Sequence, residues 1–176
     1  MKTIITTVIG LALLFHPIVG KNINVETTKQ EFEKKTRKKT IKEVSDSICL
    51  TLGVPPQLIR EVGDNESGWR CIRNTNGGTD YGDLQVIEPT FNYWYDKLGL
   101  TGGKTRRNYL IVGIHYFKTQ YDRYGSWEKA RFAYARGSWR PPHTWTCLEE
   151  KFMGKIDWEQ YDGKSHYENE EEYAGK

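Results

Sequence analysis

Between Ile41 and Arg136, apolar side chains recur three and four positions apart, and glycine, proline and serine cut the recurrence at intervals. Such spacing brings the side chains onto one face of a helix, so this stretch is constrained to fold as short amphipathic helices. Ile41, Val44, Ile48 and Leu52 line the first, and Gly53 ends it, because glycine accepts the left-handed backbone of a helix terminus. Pro55-Pro56 opens a second, with Leu58, Ile59 and Val62 on one face and Glu66 one turn further, at its end. Pro89 starts a third, which carries Phe91, Trp94, Tyr95 and Leu98. Asn108 is placed to cap a longer one with Leu110, Ile114, Phe117 and Tyr121 as its stripe. Ser126 caps a helix from Trp127 to Arg136, and Gly137 and Pro141-Pro142 end it.

One segment departs from this pattern. Residues 73–83 are dense in turn formers, and Asn76-Gly77 is a strong hairpin signal. Residues 84–87 read as a short strand. The expected class is mainly α (α+β), a helical domain with a small β-hairpin insert beside a helix-borne acid.

The apolar and aromatic weight lies within residues 40–154, which form the expected domain. Lys2 and the apolar run over residues 4–15 read as a signal peptide spanning residues 1–20, with Ile18-Val19-Gly20 at the cleavage site. The run is too short to span a bilayer comfortably, so no stable membrane insertion is expected after cleavage. Residues 21–39 read as a charged linker and residues 155–176 as an acidic disordered tail. Export places Cys49, Cys71 and Cys147 in an oxidising compartment, where one bridge and one free thiol are allowed. A Cys71–Cys147 bridge would tie the end of the fold to the loop after Glu66; three unpaired thiols are the alternative. The cysteine and histidine spacing fits no zinc site, and no metal or cofactor is expected.

The net charge of +3 combines a basic body with an acidic C-terminal stretch, a balance that suits an anionic partner. Export favours a bacterial wall over nucleic acid. For the Lys-rich residues 29–43 alone, a solvated surface is the simpler reading.

Glu66 carries the chemistry. A carboxylic acid among apolar side chains can hold its proton near neutral pH, and such an acid can protonate the leaving oxygen of a sugar–sugar bond. Val62 and Trp69 are placed to wall it. A glutamate at a helix end can instead cap or form an ion pair. Asp80, in the hairpin region, can face Glu66 and stabilise positive charge on a sugar ring, or simply form a turn. Asp83 shares that ambiguity. Gln85 can reach a sugar hydroxyl or acetamido group, or satisfy backbone groups. The Tyr134 hydroxyl can orient a nearby carboxyl, or its ring can be core. Six Trp and eleven Tyr suit sugar stacking, with most of them expected in the core.

Five motifs in order resemble the soluble lytic transglycosylase domain. They are Glu66-Ser67-Gly68-Trp69, Gly82-Asp83-Leu84-Gln85, Gly113-Ile114-His115-Tyr116-Phe117, Tyr124-Gly125 and Ala133-Tyr134-Ala135-Arg136-Gly137. Residues 73–86 are similar to the β-hairpin of chicken-type lysozymes, in which the aspartate matching Asp80 is the second catalytic carboxylate. Both families share a lysozyme-like fold. The resemblance implies cleavage of the β-1,4 bond between N-acetylmuramic acid and N-acetylglucosamine in peptidoglycan by a secreted or periplasmic monomer. Glu66 would be acid and then base, supported by Ser67 and Tyr134. Gln85 would line the sugar groove, and Asp80 would act only in a hydrolytic version. The chain departs from the transglycosylase pattern at Asp83, where an apolar residue is usual, and at Ala135, where asparagine is usual. A hydrolytic muramidase and an inactive wall-binding module are the competing readings.

Overall fold

The computed structural model describes residues 37–74 and 76–163. The signal segment and most of the charged linker lie outside these residues. The chain divides after Lys38, and the unit from Lys39 onward holds every helix named below.

Helix α1, Ile41–Leu52, begins with a capping box: the Thr40 hydroxyl accepts from the Glu43 backbone N–H while the Glu43 carboxylate accepts from the Thr40 N–H at 2.7 Å. It ends at Gly53 with φ 67°. Helix α2, Pro56–Glu66, buries Leu58, Ile59 and Val62, as the spacing predicts, and finishes on Glu66. Helix α5, Trp127–Arg136, follows the expected boundaries, and α3, Glu88–Lys97, begins one residue before Pro89 and ends before Leu98, which caps it. Two shorter α-helices follow α5: α6, Cys147–Met153, and α7, Glu159–Asp162.

The long helix α4, Arg106–Tyr124, is the axis of the core. Its Leu110, Val112 and Ile114 have no solvent exposure, and each such burial contributes about 1.5–3 kcal/mol. Helices α1, α3 and α5 all pack against it. Thr105, not Asn108, is its N-cap, accepting from the Asn108 N–H. Asn108 sits inside the first turn, where its amide donates to the carbonyls of Thr101 and Gly103 at 2.8 and 2.7 Å and closes the preceding loop. Both residues are cap formers, and the loop's free carbonyls claimed the asparagine. Gly113 lets another segment approach α4: a Cβ there would lie 2.9 Å from the Leu84 side chain.

The β element is small. Strands β1, Ile72–Arg73, and β2, Tyr81–Gly82, pair antiparallel with Ile72 opposite Gly82 and Arg73 opposite Tyr81. The hairpin is not closed at Asn76-Gly77 by a two-residue turn. The Asn74 N–H still donates to the Asp80 carbonyl at 3.0 Å, and the Asn74 side chain accepts from the Asn76 N–H at 2.8 Å. A side-chain turn thus replaces the tight backbone turn. Residues 84–87 do not form a strand either. Residues 83–85 make a turn, and Val86 bridges back to Tyr81 with two 3.0 Å hydrogen bonds.

The compact region extends past residue 154 to the end of the described chain. Ile156 and Trp158 are buried. The Asp162 carboxylate accepts from the Trp127 and Glu128 N–H groups and the Ser126 hydroxyl at 2.8–2.9 Å, which makes it a second cap on α5. Tyr161 donates to the Glu61 carboxylate on α2 at 3.0 Å. The acidic residues expected to keep this stretch disordered are thus used as acceptors, at least through Gly163. The remaining tail residues lie outside the described residues.

The Cys71–Cys147 bridge is not formed, and all three cysteines are free. Cys71 lies beside Tyr81 at the base of the hairpin, while Cys147 is exposed at the start of α6. Burial pushes the Cys49 thiol up to about 12. Among the described residues no helix is long and apolar enough to cross a membrane.

Candidate active site

The chain turns sharply where α2 ends. Gly68 has φ 61°, and the non-glycine residues Trp69 and Cys71 follow it into positive φ at 58° and 48°. Gln85, at φ 50°, is the other non-glycine residue in that region among those described. Left-handed backbone is costly for residues bearing a Cβ and persists only where contacts fix it. Here the contacts are explicit. Trp69 folds back so that its indole N–H donates to the Arg60 carbonyl at 3.1 Å. Its ring lies so close to Gly63 that a Cβ there would sit 2.5 Å from it. The Ser67 hydroxyl donates to the Asp83 carbonyl at 2.9 Å. Arg106 donates to both Asp83 oxygens at 2.8 and 2.6 Å and to the Trp69 carbonyl at 2.9 Å.

Those bonds join the turn after Glu66 to the 83–85 turn. Two more complete the frame. The Gln85 amide donates to the carbonyls of Ile72 and Gly82 at 2.9 and 2.8 Å, and the Tyr134 hydroxyl donates to the Leu84 carbonyl at 2.8 Å. Helix ends, hairpin and α5 therefore meet along one rim.

A cleft of about 490 Å³ opens along that rim. Glu66, Asp80, Gln85 and Tyr134 all line it, together with Ile87, just before α3, and Thr90 in its first turn. Four of the five residues expected from the sequence thus converge. Ser67 does not line the cleft: it is buried, and its hydroxyl is spent on the Asp83 carbonyl. Its role is to hold the turn, not to touch a ligand. Asp83 is buried in its pair with Arg106, so it too is structural. The Asp80 carboxylate is half-buried, with Oδ2 accepting from the Asn74 amide at 2.8 Å.

The surroundings of Glu66 differ from the apolar box the sequence suggests. Val62 and Trp69 are turned into the core and do not line the cleft. The main neighbour is a cation. Arg131 Nη2 lies 2.7 Å from Glu66 Oε1, the arginine side chain 2 % exposed and the glutamate 20 %. The far face of the guanidinium rests on the Phe152 ring, 4.0 Å from its centroid. Burial pulls the Arg131 pKa down, and the negative charge of Glu66 opposes that shift. Burial raises the Tyr134 pKa well above the ordinary range, Glu66 adding to the effect, so the phenol stays neutral and remains a donor. Tyr134 does not orient Glu66 by a direct hydrogen bond, since its proton goes to Leu84.

Arg131 is the site residue that motif reading misses. One signal marks it: it lies three positions before Tyr134 on α5, among the side chains of that helix's apolar stripe. An arginine on such a stripe needs a buried acceptor.

Among the described residues no cluster of histidine, cysteine, aspartate and glutamate is arranged to hold a metal ion. No family model, curated protein or solved structure matches this chain.

Proposed function

We propose that this chain cleaves peptidoglycan glycan strands at the β-1,4 bond between N-acetylmuramic acid and N-acetylglucosamine, as a lytic transglycosylase of lysozyme-like fold. One juxtaposition supports the reading. Glu66, Asp80, Gln85 and Tyr134, drawn from separate stretches of chain, line one cleft, and a buried guanidinium backs the carboxyl group among them.

The geometry divides the work of Glu66 between its two oxygens. Oε1 is engaged by Arg131, and Oε2 has no partner among the described residues. Oε2 carries the proton to the glycosidic oxygen. As the proton leaves, the new carboxylate faces a guanidinium at 2.7 Å, and their attraction strengthens in a water-poor setting. Arg131 therefore favours the donating step. The muramyl 6-hydroxyl then closes on the ring carbon and returns its proton to Oε2, leaving a 1,6-anhydro end without water. The enzyme acts as a secreted or periplasmic monomer in this reading.

A hydrolytic muramidase is the second reading, favoured by Asp80 lining the cleft with Glu66. Mass spectrometry of digested sacculi separates the two. Anhydro-muramyl ends are the expected product, and reducing ends would instead establish hydrolysis. Asp80→Asn costs little in the first case and much in the second. Intact sacculi that still sediment with the protein would replace both readings with a wall-binding module.

A further inference from the structure

A cleft of about 490 Å³ is the size of a small-molecule site, whereas the proposed substrate is a polymer. The strand must leave the cleft across a neighbouring surface. Helix α3 offers one. Ile87 and Thr90, at its N-terminal end, line the cleft, and Tyr93 and Lys97 continue the same helical face one and two turns beyond Thr90.

Burial singles out Tyr93. The chain holds six Trp, eleven Tyr and six Phe, and among the large hydrophobic side chains left exposed in the described residues Tyr93 is the one aromatic, at 60 %. Its ring meets Trp94 edge-on with centroids 5.6 Å apart, which fixes its plane. Lys97 Nζ lies 4.5 Å from the Trp94 ring centroid and 5.4 Å from that of Tyr93, and donates to the Tyr93 hydroxyl at 3.4 Å. That ammonium is held by rings and a phenol rather than by a carboxylate, so its charge is available to a ligand.

Resting on the peptidoglycan reading, we infer that Tyr93 and Lys97 form a further subsite for the glycan strand outside the cleft. Tyr93 stacks on the apolar face of a sugar ring, and Lys97 pairs with a carboxylate carried by that sugar's substituent, such as a stem peptide. An uncharged glycan would use only the tyrosine.

Kinetics on substrates of two lengths, with co-sedimentation on intact sacculi, test this. Tyr93→Ala lowers kcat/KM on long strands about tenfold, through KM, because a lost stacking contact is worth roughly that factor. It leaves cleavage of a short oligosaccharide confined to the cleft unchanged. Lys97→Gln weakens binding to strands with free stem carboxylates and has no effect on strands whose carboxylates are amidated. Unchanged binding of long strands in both variants, or equal losses on long and short substrates, would overturn the subsite. Should the wild-type protein cleave neither substrate, the catalytic reading fails separately. Sedimentation then still decides: Tyr93-dependent binding upholds the subsite and Tyr93-independent binding removes it.

Discussion

Two carboxylate–guanidinium pairs stand on either side of the turn that follows α2, and they are built in opposite senses. In the Asp83–Arg106 pair the acid is fully buried and the arginine is 39 % exposed. In the Glu66–Arg131 pair the arginine is 2 % exposed and the acid is 20 % exposed. The first arrangement consumes the acid. Both Asp83 oxygens accept from Arg106, and the same arginine binds the Trp69 carbonyl, so the pair fastens two turns together. The second spends the desolvation of a cation to hold a carboxyl group at a cleft. Glu149 repeats the fastening type, buried while Arg140 and Arg136 reach solvent. Among the arginine pairs of the described residues, the one at the cleft reverses the charge order, and there a carboxylate oxygen remains for a ligand.

Substitutions that remove one member of each pair probe that difference, the largest effect being expected at the cleft. Arg131→Met keeps the apolar contact with Phe152 and removes the cation behind Glu66. Cleavage falls by roughly ten- to hundredfold, the scale on which a misplaced or weakened general acid acts. Stability falls as well, because a mostly buried carboxyl group loses its partner, so turnover is compared per folded molecule. Steady-state kinetics and thermal melting, measured together, check both halves. Asp83→Asn separates the two effects. It leaves a buried amide facing an arginine fork, costs about 2 kcal/mol of stability, and leaves the turnover of the folded fraction unchanged. A loss of activity without a loss of stability in this variant would erase the distinction between the pairs.

The third expected effect is on stability against acid. The Thr146 backbone N–H, helped by the Thr146 hydroxyl and Arg140 and opposed by burial, lowers the Glu149 pKa from 4.5 to about 2. A group depressed on folding adds stability that is fully present above its unfolded pKa and fades as pH falls toward the folded one. Melting temperature therefore drops between about pH 4.5 and pH 2, and Glu149→Gln flattens that part of the profile.

Much of this frame was legible in the chain. Gly53, Ser126 and Gly137 mark helix ends by their own backbone and side-chain chemistry, so local spacing was enough. The same holds for Glu66 at the end of α2, since three apolar residues define the face before it. Asp80, Gln85 and Tyr134, each singled out in the sequence, line the same cleft. Long-range partners were not legible. Periodicity marks Arg131 as buried, but nothing local names Glu66 and Phe152 as its contacts. Residues 155–163 look too acidic to fold, yet Asp162 finds unsatisfied N–H groups on a helix far away in sequence. Residues 84–87 carry enough apolar weight for a strand, and the positive φ of Gln85 turns them instead. The resemblance implies that Ser67 supports Glu66, and the structure commits its hydroxyl to holding the turn that follows Glu66.

Glu66→Gln, assayed on purified peptidoglycan with its melting temperature measured alongside, tests the central claim most directly. Glutamine keeps the carbonyl that faces Arg131 and removes the transferable proton, so cleavage is expected to fall by about a thousandfold or more with the fold intact. Digestion at the wild-type rate by a variant that melts like the parent would contradict the account.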